Sequence, residues 1–236
     1  MKILAIDSTA AAASIAVTEN KNLLAEYTVI NGNTHSETLL PMVESTLKLL
    51  GLSAKDIDLF SCSVGPGSFT GVRIGTATVK GLAFASQKPC IAVSTLEALA
   101  YNLVGFEGLI CPVMNARRSQ VYTAIFRSDG KALERLTEDT AAAISELDSM
   151  LEKYNEPVRF CGDGYDITVS EIKHCRFIPV PERLRPQSAY SVARTALEKH
   201  SEGVSVGDAE LVSTYLRPCQ AERELAEKMK AQKENQ

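Results

Sequence analysis

The sequence predicts an α/β fold made of two successive β-β-β-α-β-α halves. Three observations carry that expectation. Short apolar strand-like runs open each half, longer stretches with helical periodicity follow them, and Gly105 and Gly108 separate the two series. The 236 residues suffice for one large or two small domains with a real core.

In the first half, Ile3–Ile6, Ser14–Thr18 and Leu23–Ile30 read as strands, the last two joined by the hairpin turn Glu19-Asn20-Lys21-Asn22. Past Asn31-Gly32-Asn33, Thr34 or Ser36 caps a helix that runs to about Leu50 and stops at Gly51. A strand at Leu59–Val64 runs into Gly65-Pro66-Gly67. Ser68 then stands at the N-cap of a proline-free helix from Phe69 to Ser86. Cys90–Val93 and a helix from Thr95 to Asn102 close the half.

The second half repeats the order of elements without repeating residues. Leu109–Met114, Gln120–Arg127 and Ala132–Thr137 read as strands, and Ile144–Tyr154 as a helix. Val158–Cys161 is a strand, 166–173 a short helix, Phe177–Val180 a strand, and Ser188 opens a helix through about Lys199. The expected domains are 1–105 and 106–236. The second ends in a charged tail from about residue 221, read as a solvated helix or a frayed end. Two such halves describe the duplicated actin/hexokinase/Hsp70-like (ASKHA) fold, which clamps ATP between its lobes. The fold alone decides no function.

Composition narrows the class. Apolar residues make up 45% and charged residues 23%, as in ordinary globular proteins. A net charge of −4, from 25 basic and 29 acidic residues, argues against a broad nucleic-acid-binding face. The chain enters its first strand directly, without a signal peptide, and no apolar run approaches the ~20 residues of a membrane span. A cytoplasmic protein with no membrane association is expected. The six cysteines contain no Cys-x-x-Cys pair and are expected to be reduced and mostly buried. His35, His174 and His200 show no metal-ligand spacing, so neither metal nor cofactor is expected.

The stretch from Gly65 to Gly75 is the most informative. It is not a P-loop, because no Gly-Lys-Ser/Thr closes it, and it lacks the glycine spacing of a dinucleotide fingerprint. The turn is either structural or aims free N–H groups at an anion. Within the helix, Gly71, Gly75, Thr78, Leu82 and Ala85 share one side. Glycine inside a helix costs ~1 kcal/mol relative to alanine. Close approach of another backbone offsets that cost, and it comes from the protein's own sheet or from a partner helix. For phosphate binding, Asp7-Ser8-Thr9 would be competent, and Gly65, Gly67 and Ser68 add vestigial anion contacts. The matching turn, Asn115 to Ser119, has no glycine and no carboxylate. Arg117 and Arg118 there either bind an anion or face solvent, and Asp163 either contacts nucleotide or makes a tight turn.

Ile6-Asp7-Ser8-Thr9, the Gly65–Gly75 run, Lys80-Gly81-Leu82-Ala83 and Tyr215-Leu216-Arg217 together resemble the TsaB (YeaZ) family, over essentially the whole chain. The resemblance implies the dimerisation subunit of the bacterial complex that makes threonylcarbamoyladenosine beside the tRNA anticodon. The implied partners are a TsaD-type transferase subunit and a TsaE-type ATPase, with a homodimer in isolation and tRNA met only through the complex. In TsaD a His-Met-Glu-x-His motif holds a metal. Here Thr95 and Leu99 stand where those histidines would be, and only Glu97 remains. Asn115 departs from the TsaB pattern, where Asp is expected. The reading is a non-catalytic scaffold. Its rivals are an ATP-dependent phosphotransferase of the same fold and a metalloprotease of the glycoprotease type.

The expected partner face lies on the two long helices of the first half. Leu39, Val43, Leu47 and Leu50, with Leu40 at their margin, form the stripe that packs on the sheet. Thr38, Met42, Ser45 and Leu49 are expected on a solvent-facing flank, joined by Gly71, Gly75, Thr78 and Leu82 of the next helix. On that reading Met42→Arg or Thr78→Arg abolishes association and leaves the fold intact.

Overall fold

The computed structural model describes residues 1–30, 32 and 34–217. The charged tail expected from about residue 221, and Cys219, lie outside the described residues.

The first half forms β1 (Lys2–Asp7), β2 (Ala13–Glu19), β3 (Asn22–Val29), α1 (His35–Leu49), β4 (Leu59–Ser63), α2 (Phe69–Ser86), β5 (Cys90–Val93) and α3 (Thr95–Tyr101). Its sheet runs in the order β3-β2-β1-β4-β5, antiparallel through β1–β2–β3 and parallel through β1–β4–β5. Side chains alternate across a strand, so β1 serves two cores. Leu4 and Ile6 face one that α1 and α2 cover with Leu39, Met42, Val43, Leu47, Val79 and Ala83, while Ile3 and Ala5 face the other.

The second half forms β6 (Gly108–Arg117), β7 (Gln120–Thr123), β8 (Phe126–Ser128), β9 (Leu133–Arg135), β10 (Thr140–Ala143), α4 (Ile144–Glu152), β11 (Val158–Cys161), α5 (Tyr165–Glu171) and α6 (Ala189–Ser201). β6 pairs β8 at its start and β7 at its end, those two pair β9 and β10, and β11 runs parallel along the other side of β6. With β7/β8 and β9/β10 each read as one interrupted strand, the order matches the first four strands of the first sheet. The fold is the duplicated actin/hexokinase/Hsp70-like one.

Four expectations are corrected. The second strand of the second half, expected as one run over Gln120–Arg127, is split into β7 and β8, and Phe177–Val180 is no strand. Only Phe177 bridges Val158, because Pro179 and Pro181 remove ladder donors. Met42 is buried at 4% exposure instead of facing solvent. The buried arc of α1 spans Leu39, Met42, Val43, Thr46 and Leu47, wider than the stripe expected. A feature the sequence reading did not address is that the last helix of each half packs on the other half's sheet. Leu96, Leu99 and Ala100 of α3 lie with Ile110, Met114 and Phe126, and Ala189, Val192, Ala193 and Ala196 of α6 lie against Ile3, Ala5, Leu59 and Ile91.

Candidate functional site

The glycine turn behaves as a joint. The Gly65–Pro66 peptide is cis, and Gly65 has φ +117°. A Cβ on Gly65 would lie 2.3 Å from the Thr214 carbonyl oxygen, and one on Gly67 would lie 2.5 Å from that of Thr9. Both glycines therefore admit the protein's own backbone. Ser68 caps α2 by accepting from the Gly71 N–H at 3.3 Å, and its own N–H donates to the Thr9 carbonyl at 2.7 Å.

The first phosphate-type loop is internally committed. Asp7 is buried; its Oδ1 accepts from the Thr9 N–H and hydroxyl at 2.9 and 2.7 Å, and its Oδ2 from Ser63 at 2.5 Å. Burial pushes the Asp7 carboxyl above the ordinary value, against the pull of those hydrogen bonds. Ser8 is buried too and donates to the Gly71 carbonyl at 2.9 Å. Of the expected anion contacts, Thr9, Gly67 and Ser68 line the cleft between the lobes, while Asp7, Ser8 and Gly65 do not.

That cleft has a volume of about 670 Å³, with Asn115–Arg117, Tyr122 and Asp163 opposite and Thr214–Arg217 along one wall. Asn115 accepts the Arg117 N–H at 2.8 Å, which fixes the turn, and its own N–H donates to Asp163 at 3.2 Å. Burial raises the Asp163 carboxyl. Gly162 and Gly164 stand where a Cβ would meet the Val113 carbonyl oxygen at 2.2 and 3.0 Å, so Asp163 sits in a tight strand-to-helix turn.

The wall is built by a segment whose Tyr215-Leu216-Arg217 run carried the family resemblance but received no structural reading. Lys80 donates to the Ala209 and Leu211 carbonyls, Thr76 pairs with Ser213, and the Thr214 N–H donates to Val64. Tyr215 stacks on Phe69 with centroids 4.6 Å apart, and Arg73 lies over the Phe69 ring and donates to the tyrosine hydroxyl. Its run has no period to betray it.

The TsaD-motif positions hold no free ligands. Thr95 and Leu99 are buried, and Glu97 is paired with Lys199 at 3.0 Å and Arg135 at 3.7 Å. Among the described residues no three His, Cys, Asp or Glu side chains converge as a metal set.

On the helices, Gly71 and Gly75 are buried. A Cβ there would meet the Ser8 carbonyl oxygen at 2.0 Å and the Ser8 hydroxyl at 2.5 Å, so these two glycines admit the lobe's own β1 end rather than a partner. Thr38, Thr78 and Leu82 are half-buried, and Ser45 is exposed. Leu49 is 87% exposed; Leu40, expected at the margin of the sheet-packing stripe, is exposed instead because the buried arc of α1 turns toward Met42, and Phe84 adds exposed apolar bulk that helical periodicity did not single out. What would have found Phe84 is its place opposite the buried arc of α2. No helix is long and apolar enough to cross a membrane among the described residues.

The family model described as TsaD, tRNA N6-adenosine threonylcarbamoyltransferase, matches residues 24–205. The tRNA threonylcarbamoyladenosine biosynthesis protein TsaB of Bacillus subtilis (strain 168) is 33% identical over 234 residues, covering 98% of this chain and 100% of that protein. The TsaB protein of Escherichia coli (strain K12) is 34% identical over 149 residues, 62% of this chain and 64% of its own. Among solved structures, YeaZ from Pseudomonas aeruginosa superposes with a TM-score of 0.77 at 25% identity, covering 91% of this chain and 99% of that one.

Proposed function

Since the chain belongs to the TsaB family of tRNA threonylcarbamoyladenosine biosynthesis proteins, we propose that it is the non-catalytic subunit that pairs with a TsaD-type transferase. One observation carries the non-catalytic part. At the positions where the transferase motif places histidines stand a buried threonine and a buried leucine, and the surviving Glu97 is neutralised by two cations. Neither Thr95 nor Leu99 supplies a ligand for a transition metal. A phosphotransferase reading fares no better, because Asp7 spends both oxygens on Thr9 and Ser63.

The pairing face we propose is the outer side of α1 and α2. Leu49 and Phe84 stand 87% and 72% exposed on these helices, which also carry Ser45, Thr78, Gly81 and Leu82 outside their fully buried positions. Small residues beside apolar bulk suit close helix packing at ~8–10 Å between axes. A TsaE-type ATPase joins through the transferase, and tRNA is met in the assembled complex.

Depletion of the protein followed by nucleoside mass spectrometry of tRNA tests the role in the pathway; undiminished threonylcarbamoyladenosine would refute it. Size-exclusion chromatography with a TsaD-type partner tests the face. Leu49→Arg and Thr78→Arg should leave a folded protein that no longer co-elutes, and unchanged assembly of both would remove this face from the reading.

A further inference from the structure

β3 is an edge strand. It pairs only with β2 among the described residues, so its outer N–H and C=O groups carry no ladder partner. Natural edges are blunted by charge, proline or a bulge. Here the register slips beside Leu24, which blunts the start of the strand, but Ala25–Val29 pairs β2 without a break. Glu26, the one charged residue in β3, is turned back into the protein, accepting from Ser188 at 2.7 Å and from the Tyr190 N–H at 3.1 Å.

A groove of about 220 Å³ runs between this strand and α1, floored by Val29 and Met42 and walled by Tyr27, Thr38 and Pro41. Pro41 has no N–H, so the Glu37 carbonyl lacks its i+4 helical donor. Glu37 is also the only charged residue lining the groove among the described residues. The nearest cation on that side of the helix, Lys48, lies about three turns along α1. An unpaired ladder, a carbonyl short of a donor, an apolar floor and one negative charge describe the complement of an extended basic segment.

We propose that β3 and α1 form a strand-capture site, in which an extended, lysine- or arginine-flanked segment of another protein adds to the first sheet as a sixth strand. Main-chain hydrogen bonds to Ala25–Val29 supply affinity, and an apolar side chain seated between Tyr27 and Pro41 supplies selection. Proximity of the flanking cation to Glu37 favours basic over acidic segments. The site shares Ser45 with the pairing face but does not depend on it.

The probe is a synthetic peptide alternating valine and threonine with lysine at both ends, compared with its glutamate-ended counterpart by fluorescence anisotropy and by hydrogen exchange of the full-length protein. The lysine peptide should slow exchange of the Ala25–Val29 amides by about tenfold or more, and the glutamate peptide should bind about tenfold more weakly. N-methylation of one alternate set of peptide amides should abolish binding and of the other set leave it, since only one set faces the edge. Tyr27→Ala, which removes one wall of the apolar seat without adding charge, should weaken binding, and Leu49→Arg should not. Absence of β3 protection, equal binding of both peptides, or indifference to both N-methyl sets overturns the proposal. Peptide capture by a Leu49→Arg protein that still pairs with the transferase would leave this site standing and the pairing face fallen.

Discussion

Gly71→Ala puts a methyl group 2.0 Å from the Ser8 carbonyl oxygen, about 1 Å inside any tolerated contact. The obstacle is backbone at the end of a central strand, so α2 must move as a body or the β1–β2 turn must deform. Overpacking of this kind costs ~1–3 kcal/mol, and a backbone obstacle places the change at the upper end. Alanine returns ~1 kcal/mol of helix propensity, leaving a net loss of ~2 kcal/mol. Gly81, in the same helix, is exposed and an added methyl there would meet nothing within 4 Å, so Gly81→Ala keeps only the propensity gain. At ~2–4 °C per kcal/mol for a chain of this size, thermal unfolding by circular dichroism should fall ~4–8 °C for Gly71→Ala and rise ~2–4 °C for Gly81→Ala. Shifts of the same sign in both variants would refute the close-approach account of the buried glycine.

Four further outcomes follow from the geometry. Met42→Arg should unfold the protein rather than merely block assembly, since an unpaired charge at a 4% exposed position costs several kcal/mol; a folded monomer would contradict this. Asp148 is held below the usual carboxylate range because N–H groups of Cys175, Lys173 and His174 outweigh the opposing effect of burial. Its stabilisation is therefore present above pH ~4 and lost as pH falls below it, so the urea midpoints of wild type and Asp148→Asn should converge in acid. Asp7 has the opposite sign: burial raises it, so wild type should lose ground to Asp7→Asn as pH climbs above ~4, readable in the same titration. Tyr215→Ala should cost ~1 kcal/mol through the lost Phe69 and Arg73 contacts, measured by chemical denaturation.

Local chemistry was legible where local chemistry decides. α2 runs from Phe69 to Ser86 as its cap and proline-free run predict, and β1, β4 and β5 follow their apolar runs. Contacts between distant segments were not. The two possible neighbours of Gly71 and Gly75 could be named from residue type, but only the position of Ser8 chooses between them. Met42 was misplaced because a helical wheel shows which residues share a face and not how much of the circumference is covered; β3 lines the groove beside it, and the second residue of the Pro41-Met42 pair turns inward. An apolar stripe likewise says that α3 and α6 must be buried, not on which sheet.

The exchange of those two helices bears on how the chain can be made. As the polypeptide leaves the ribosome, β1 to β5 emerge with Ile3, Ala5, Leu59, Ile91 and Val93 lacking the helix that covers them, because Ala189–Ala196 are synthesised about a hundred residues later. The first half cannot mature by itself and wait for the second. Its nascent form carries an apolar face for most of translation, the condition under which holding chaperones act and cleaved or stalled products aggregate. Two fragments cut between the halves would each be missing a helix and would each hold the one the other needs, so they should recover solubility only when produced together.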